Sequence, residues 1–129
     1  MKGFVTNIEK DTVENNDYRR VIYTGRYTQL VLMSIKPGVE IGNEIHGLDQ
    51  FIRIEEGQAK LVLNNSEEQQ IEKDSAVIIP AGTWHNVINN GQSDLKLYTL
   101  YSPPAHLKDT LQPTKENEIE DQFNGITTE

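Results

Sequence analysis

Short segments rich in β-branched and aromatic residues recur along this chain, separated every few residues by turn signals. Tyr18–Thr24, Tyr27–Ile35, Gln50–Glu55, Lys60–Leu63, Gln69–Glu72, Ala76–Ile79, Trp84–Ile88 and Leu95–Tyr101 all read as strands. Pro37-Gly38, Gly57, Asn64-Asn65, Asp74-Ser75 and Asn89-Asn90-Gly91 punctuate them. Glu40–His46 alternates well enough to be a further strand, and Gly3–Ile8 is a short candidate at the start. Residues 9–17 are polar and acidic and read as a loop. No segment has the length or period of a crossover helix, which excludes a βαβ architecture. An antiparallel all-β sandwich or barrel remains.

The 129 residues favour one domain. No linker interrupts residues 1–102, and Pro103-Pro104 marks the change to a polar segment, residues 103–129. That segment is expected to pack on the barrel as a tail or to be partly disordered. Leu107, Leu111, Ile119, Phe123 and Ile126 are its apolar anchors and favour packing, and a short helix fits around Lys115–Gln122.

Twenty acidic against 12 basic side chains give a net charge of −8. Nucleic acid binding needs clustered Lys and Arg, and only Arg19-Arg20 and Arg26 are loosely grouped, so neither nucleic acid nor an anionic membrane is an expected partner. Cysteine is absent, which removes disulfide and thiolate chemistry. The opening residues hold no apolar stretch of signal-peptide length, so a cytoplasmic location is the expectation.

Two segments carry the candidate chemistry. The first runs Pro37-Gly38, Glu44-x-His46, Gln50, Gly57; the second runs Asp74, Pro80-x-Gly82, His85, Asn89. Glu44 and His46 are two apart and share one face of an extended strand. His85, Val87 and Asn89 share another, which puts Asn89 on a pocket wall. Two imidazoles, one carboxylate and one amide oxygen suit a divalent transition metal.

These spacings resemble the two signature motifs of the cupin superfamily. Gly38, His46, Gly57, Pro80, Gly82, His85 and Asn89 stand at matching positions. Glu44 takes the place of the family's first histidine, Gln50 that of its glutamate, and Asp74 that of a turn glycine. The carboxylate has changed position and the formal charge of the set stays at one negative. The resemblance extends to small bacterial cupins described as mannose-6-phosphate isomerase-like. It implies a cupin-type antiparallel barrel (double-stranded β-helix, or jelly roll) with an irregular C-terminal tail. It also implies one metal ion (Zn, Mn, Fe or Ni) on Glu44, His46, Gln50 and His85, and a homodimer. Gln50 either binds directly or orients a water.

The resulting expectation is a metal-dependent protein acting on a small polar, oxygen-rich molecule, with sugar or sugar-acid isomerisation preferred. An Fe- or Mn-dependent dioxygenase and a non-catalytic metal- or ligand-binding cupin are the alternatives. The sequence assigns no catalytic base. Trp84 points away from His85, toward packing or a dimer contact. Either Tyr98 or Tyr101 faces inward. Arg53 lies outside the pocket in a salt bridge or interface. Arg19, Arg20, Tyr23 and Arg26 read as a solvated edge strand, and His106 as a surface residue.

Overall fold

In a computed structural model that describes residues 1–129, nine strands form two antiparallel sheets. They are β1 (Arg19–Thr24), β2 (Gln29–Ile35), β3 (Asp49–Glu56), β4 (Gln58–Leu63), β5 (Glu67–Glu72), β6 (Ala76–Ile79), β7 (His85–Ile88), β8 (Leu95–Ser102) and β9 (Leu111–Gln112). The larger sheet has the order β6-β3-β8-β2-β1-β9, the smaller β5-β4-β7. The two sheets are hydrogen-bonded separately. Strand alternation puts Val31, Met33 and Ile35 of β2, Ile52 and Ile54 of β3, and Leu95, Leu97 and Tyr101 of β8 on the inner face. They meet Ala59 and Leu61 of β4 and Val87 of β7 in one core. The fold is all β, of the expected class. No helix is long and apolar enough to cross a membrane.

Five local expectations are corrected. Gly3–Ile8 forms no strand, and part of the expected 9–17 loop is a helix, α1 (Ile8–Glu14). Asn7 caps it by accepting from the Lys10 amide at 3.1 Å. Seven residues make no stable helix alone; α1 is held by packing on the outer face of β2, β3 and β8. There the buried Lys96 donates to the carbonyl of Asn15 at its C-cap, where a cation is favoured.

Glu40–His46 is not a regular strand. Gly42, at φ +108°, turns the backbone out of extended geometry, and its amide is taken by Asn86 Oδ1 at 2.9 Å. Only two bridges survive, Glu40 to Ile88 and Glu44 to His85. These lay the segment along β7.

The Lys115–Gln122 helix shrinks to one 3-10 turn, Lys115–Asn117. Leu107, Leu111, Ile119 and Ile126, read as anchors, are exposed. Phe123 is half-buried and Ala105 packs on the core, and residues 103–129 otherwise lie against the barrel through polar contacts. β9 pairs with β1, and Gln112 is buried against Arg19, which it meets at 2.7 Å.

Turn positions behave as their residues require. Asn64 and Asn65 take φ 52° and 63°, left-handed conformations within the three-residue turn 64–66 that joins β4 to β5. Asp74 takes φ 73°, the conformation a glycine there would adopt. Gly57 has φ +90°, and a Cβ on it would stand 2.9 Å from the Asp94 carbonyl oxygen. Both the torsion and the contact exclude a side chain. Gly57→Ala is therefore expected to lose more than about 1–2 kcal/mol, the torsional cost alone. Urea unfolding at unchanged m checks this, and a loss below that range would contradict the stated contact.

Candidate metal centre

The bridge between Glu44 and His85 places the first two groups of the site. The amide of each donates to the carbonyl of the other, both at 2.9 Å. A directly opposed pair puts both side chains on one face. His46 follows two residues on, and its carbonyl accepts from the Gly82 amide at 2.8 Å. That tie pulls the turn before β7 against the first segment. The donor atoms of Glu44, His46 and His85 consequently lie within 4.8 Å of one another.

All three present lone pairs to a common point. Glu44 Oε1 is 3.3 Å from His46 Nε2 and 3.6 Å from His85 Nε2. Neither imidazole nitrogen has a well-formed hydrogen bond, although both are shielded from solvent. His85 Nδ1 lies 2.9 Å from the Thr83 carbonyl and donates to it, which leaves Nε2 as the free acceptor. Acceptors converging without donors call for a cation between them. Burial raises the Glu44 carboxyl, but the two histidines outweigh it and hold it at about 2. Burial lowers His85, and Glu44 with the Thr83 carbonyl more than reverses this.

Gln50, on β3, is buried. Its amide nitrogen donates to Thr99 Oγ1 at 3.0 Å, which leaves its carbonyl oxygen buried without a partner. Its register neighbour Tyr101 packs edge-on against His46, with ring centroids 6.0 Å apart. An orphaned oxygen and two orphaned imidazole nitrogens fit a divalent metal, whose ligands are these same atom types.

Asn89 is corrected. It does not line the cavity; it is fully buried and stitches a turn. Its amide donates to the carbonyls of Ile35 and Ser93 at 2.8 and 2.9 Å, and its oxygen accepts from Gly91 at 2.9 Å.

A cavity of about 700 Å3 opens beside the triad. Residues 44–48 form one wall and 118–123 the other, with Arg19 and residues 103–106 between. His85, 3% exposed, lies behind Glu44 and His46. The tail therefore supplies a large part of the lining. Arg19, expected on a solvated edge, is buried and pairs with Glu118 at 2.9 Å. The inward Val21 two residues on carried that signal, because β1 alternates. His106, expected at the surface, is largely buried and lines the cavity. Nothing local in the sequence marks it. Tyr101 is the tyrosine that faces inward; Tyr98 packs against Phe51 on the outer face. Arg53 lies outside the cavity, paired with Glu55 and Asp74 at 2.7 and 3.0 Å. Trp84 is exposed.

The cupin domain family matches residues 31–101. This chain is a cupin. It is similar to the uncharacterized YrkC of Bacillus subtilis (strain 168), at 44% identity over 124 residues, covering 92% of this chain and 67% of that one. It is also similar to the uncharacterized L612 of Acanthamoeba polyphaga mimivirus, at 46% identity over 107 residues, covering 80% and 67%. The crystal structure of BH2720 from Bacillus halodurans superposes with a TM-score of 0.88 at 45% identity, covering 90% of this cupin and 92% of that chain. The cupin fold explains why two distant segments meet here.

Two outcomes test the geometry. The Glu44 carboxyl is held below its ordinary 4.5, so in metal-free protein its ion pairs stabilise the fold above that pH. The contribution disappears as pH falls from about 4.5 to about 2. Glu44→Gln should flatten this part of the acid unfolding curve, and superimposable curves would refute the pairing. Asn89→Ala should cost about 1–3 kcal/mol by leaving buried groups unpaired, with zinc uptake unchanged. A loss of zinc uptake in folded Asn89→Ala would return that residue to the site.

Proposed function

We propose that this cupin binds one divalent transition metal through Glu44, His46 and His85, with Gln50 as fourth donor, and acts on a small polar, oxygen-rich molecule. Isomerisation of a sugar or sugar acid is the preferred activity. One observation carries the reading: three side chains from two segments bring donor atoms within 4.8 Å of one another beside an open cavity, two of them buried imidazole nitrogens without a partner. Zinc, manganese, iron and nickel all suit such donors.

A bound divalent ion supplies Lewis acidity to a carbonyl or hydroxyl oxygen. The protein's own groups do the rest. Glu44 contributes the single negative charge of the set. Thr83, through its carbonyl, orients the His85 ring toward the shared point. Tyr101 packs the His46 ring from the side. Arg19 presents a permanent cation to the cavity, partly neutralised by Glu118. The tail segment 118–123 covers one side and limits water access.

Two histidines with one carboxylate are also the donor set of non-haem iron oxygenases, which supports an Fe- or Mn-dependent dioxygenase as the second reading. A non-catalytic metal- or ligand-binding protein is the third. The proposal includes a homodimer, for which the exposed Ile78 and Trp84 are candidate contacts; sedimentation tests it.

Equilibrium dialysis followed by elemental analysis should find one metal per chain. His46→Ala and His85→Ala should abolish uptake, and Gln50→Ala should weaken it by about 10–100-fold, whether Gln50 binds the ion or orients a water beside it. Retained uptake in both histidine variants would sink the proposal. Oxygen consumption with diketones and phenols, set against NMR of sugars incubated with loaded protein, separates the two enzymatic readings.

A further inference from the structure

The cavity holds a second, independent constellation opposite the metal set, and the sequence offered no base for the chemistry above. His106 sits on the tail side, with its side chain 13% exposed. Its Nδ1 lies 2.7 Å from Asp121 Oδ1. Asp121 is itself held. Its Oδ2 accepts from the Leu107 amide at 3.0 Å and from Thr110 Oγ1 at 2.8 Å. A carboxylate fixed this way makes Nδ1 the protonated nitrogen and leaves Nε2 with a free lone pair. That nitrogen makes no hydrogen bond within the protein. Tyr101 stands between the two halves of the site, its ring edge-on to His46 at 6.0 Å and to His106 at 5.3 Å.

We propose that His106 is the proton-transfer residue of this cavity and that Asp121 is its positioning residue. The assignment rests on the proposed function above and deepens it. In the isomerisation of a hydroxy-carbonyl compound, the C–H bond beside the carbonyl breaks and its proton passes to His106 Nε2. The electron pair remains on the substrate as an enediolate, and its remaining hydroxyl proton passes from the one oxygen to the other as the carbonyl changes place. The proton then returns to the neighbouring carbon, and the imidazole is restored. No oxidant or reductant is required.

The charges around the ring suit this role. Arg19 from β1, Glu44 from the segment beside β7, Tyr101 from β8 and Asp121 from the tail all face it. Burial and Arg19 hold the imidazole below its ordinary value against the opposing pull of Asp121 and Glu44. A neutral imidazole at pH 7 is a competent base. The competing reading is a tether, in which His106 and Asp121 merely pin the tail. A tether needs only the Nδ1 bond and predicts nothing about Nε2.

Diethyl pyrocarbonate, which acylates accessible unprotonated imidazole nitrogens, tells them apart. Zinc-loaded wild type should take up one carbethoxy group among its three histidines, mapped to His106 by peptide mass spectrometry. His106→Gln should take up none while binding zinc as before. Asp121→Asn should move the pH midpoint of the modification downward, because the carboxylate favours the charged ring; an unmoved midpoint would overturn Asp121 as the positioning residue. An unreactive His106 in wild type overturns the proposal without any variant.

Deuterium exchange from heavy water into free hexoses and their 6-phosphates, followed by NMR, supplies the second readout. His106→Gln should slow it by about 10²–10⁴-fold at unchanged zinc content. Wild-type rates in that variant would overturn the role. Absence of exchange in wild type would sink the isomerase reading and the proton-transfer role together. Absence of zinc uptake would instead count against the metal set alone, because His106 reactivity does not depend on it.

Discussion

Two reciprocal backbone hydrogen bonds between Glu44 and His85, each 2.9 Å, hold this site together. They join a segment that is not a strand to the edge of one that is. Without them a carboxylate and an imidazole 41 positions apart have no reason to share a face. With them, the donor atoms of Glu44, His46 and His85 fall within 4.8 Å. The local irregularity serves the same end. Gly42 bends the backbone, and the Asn86 side chain takes the amide this bend releases. A straight strand over Glu40–His46 would have a fixed pleat. The bent one meets β7 at two points only.

The cavity has two sides with different origins. One is the barrel, built by alternating apolar residues around Val31, Ile52, Leu97 and Tyr101. The other is residues 103–129, held by Arg19, Gln112, Glu118, His106 and Asp121. Apolar burial orders the first and polar pairing the second. A buried arginine left unpaired would be costly, so Arg19 needs the tail as much as the tail needs Arg19. The tail is thereby part of the site, and its charged residues stand inside a cavity that the barrel alone would leave open.

Much of the fold was legible in the sequence, because alternation is a local signal. β1 to β8 stand where the β-branched and aromatic runs predict them, within about two residues at their ends. The Asn64-Asn65 turn and Gly57 were equally legible, since each answers to a torsion angle. The failures also have local causes. α1 was missed because Ile8–Glu14 has too few apolar residues to show a period, and packing on the sheet supplies its stability. Asn89 was misplaced because its spacing to His85 sets a face, whereas its own amide is committed to closing a turn.

Sequence by itself determined which atoms are available: two imidazoles, a carboxylate and an amide in two short segments, on strands whose faces alternation assigns. It also determined the family, because multi-residue spacings carry that information. Tertiary structure alone decided that Arg19 turns inward onto Glu118, that His106 meets Asp121, and that both enter the same cavity as Glu44 and His46. The physical reason is range. Pleat and turn are settled between neighbours along the chain. A buried charge or a polar tail finds its partner only after distant segments have been brought together and water has been excluded.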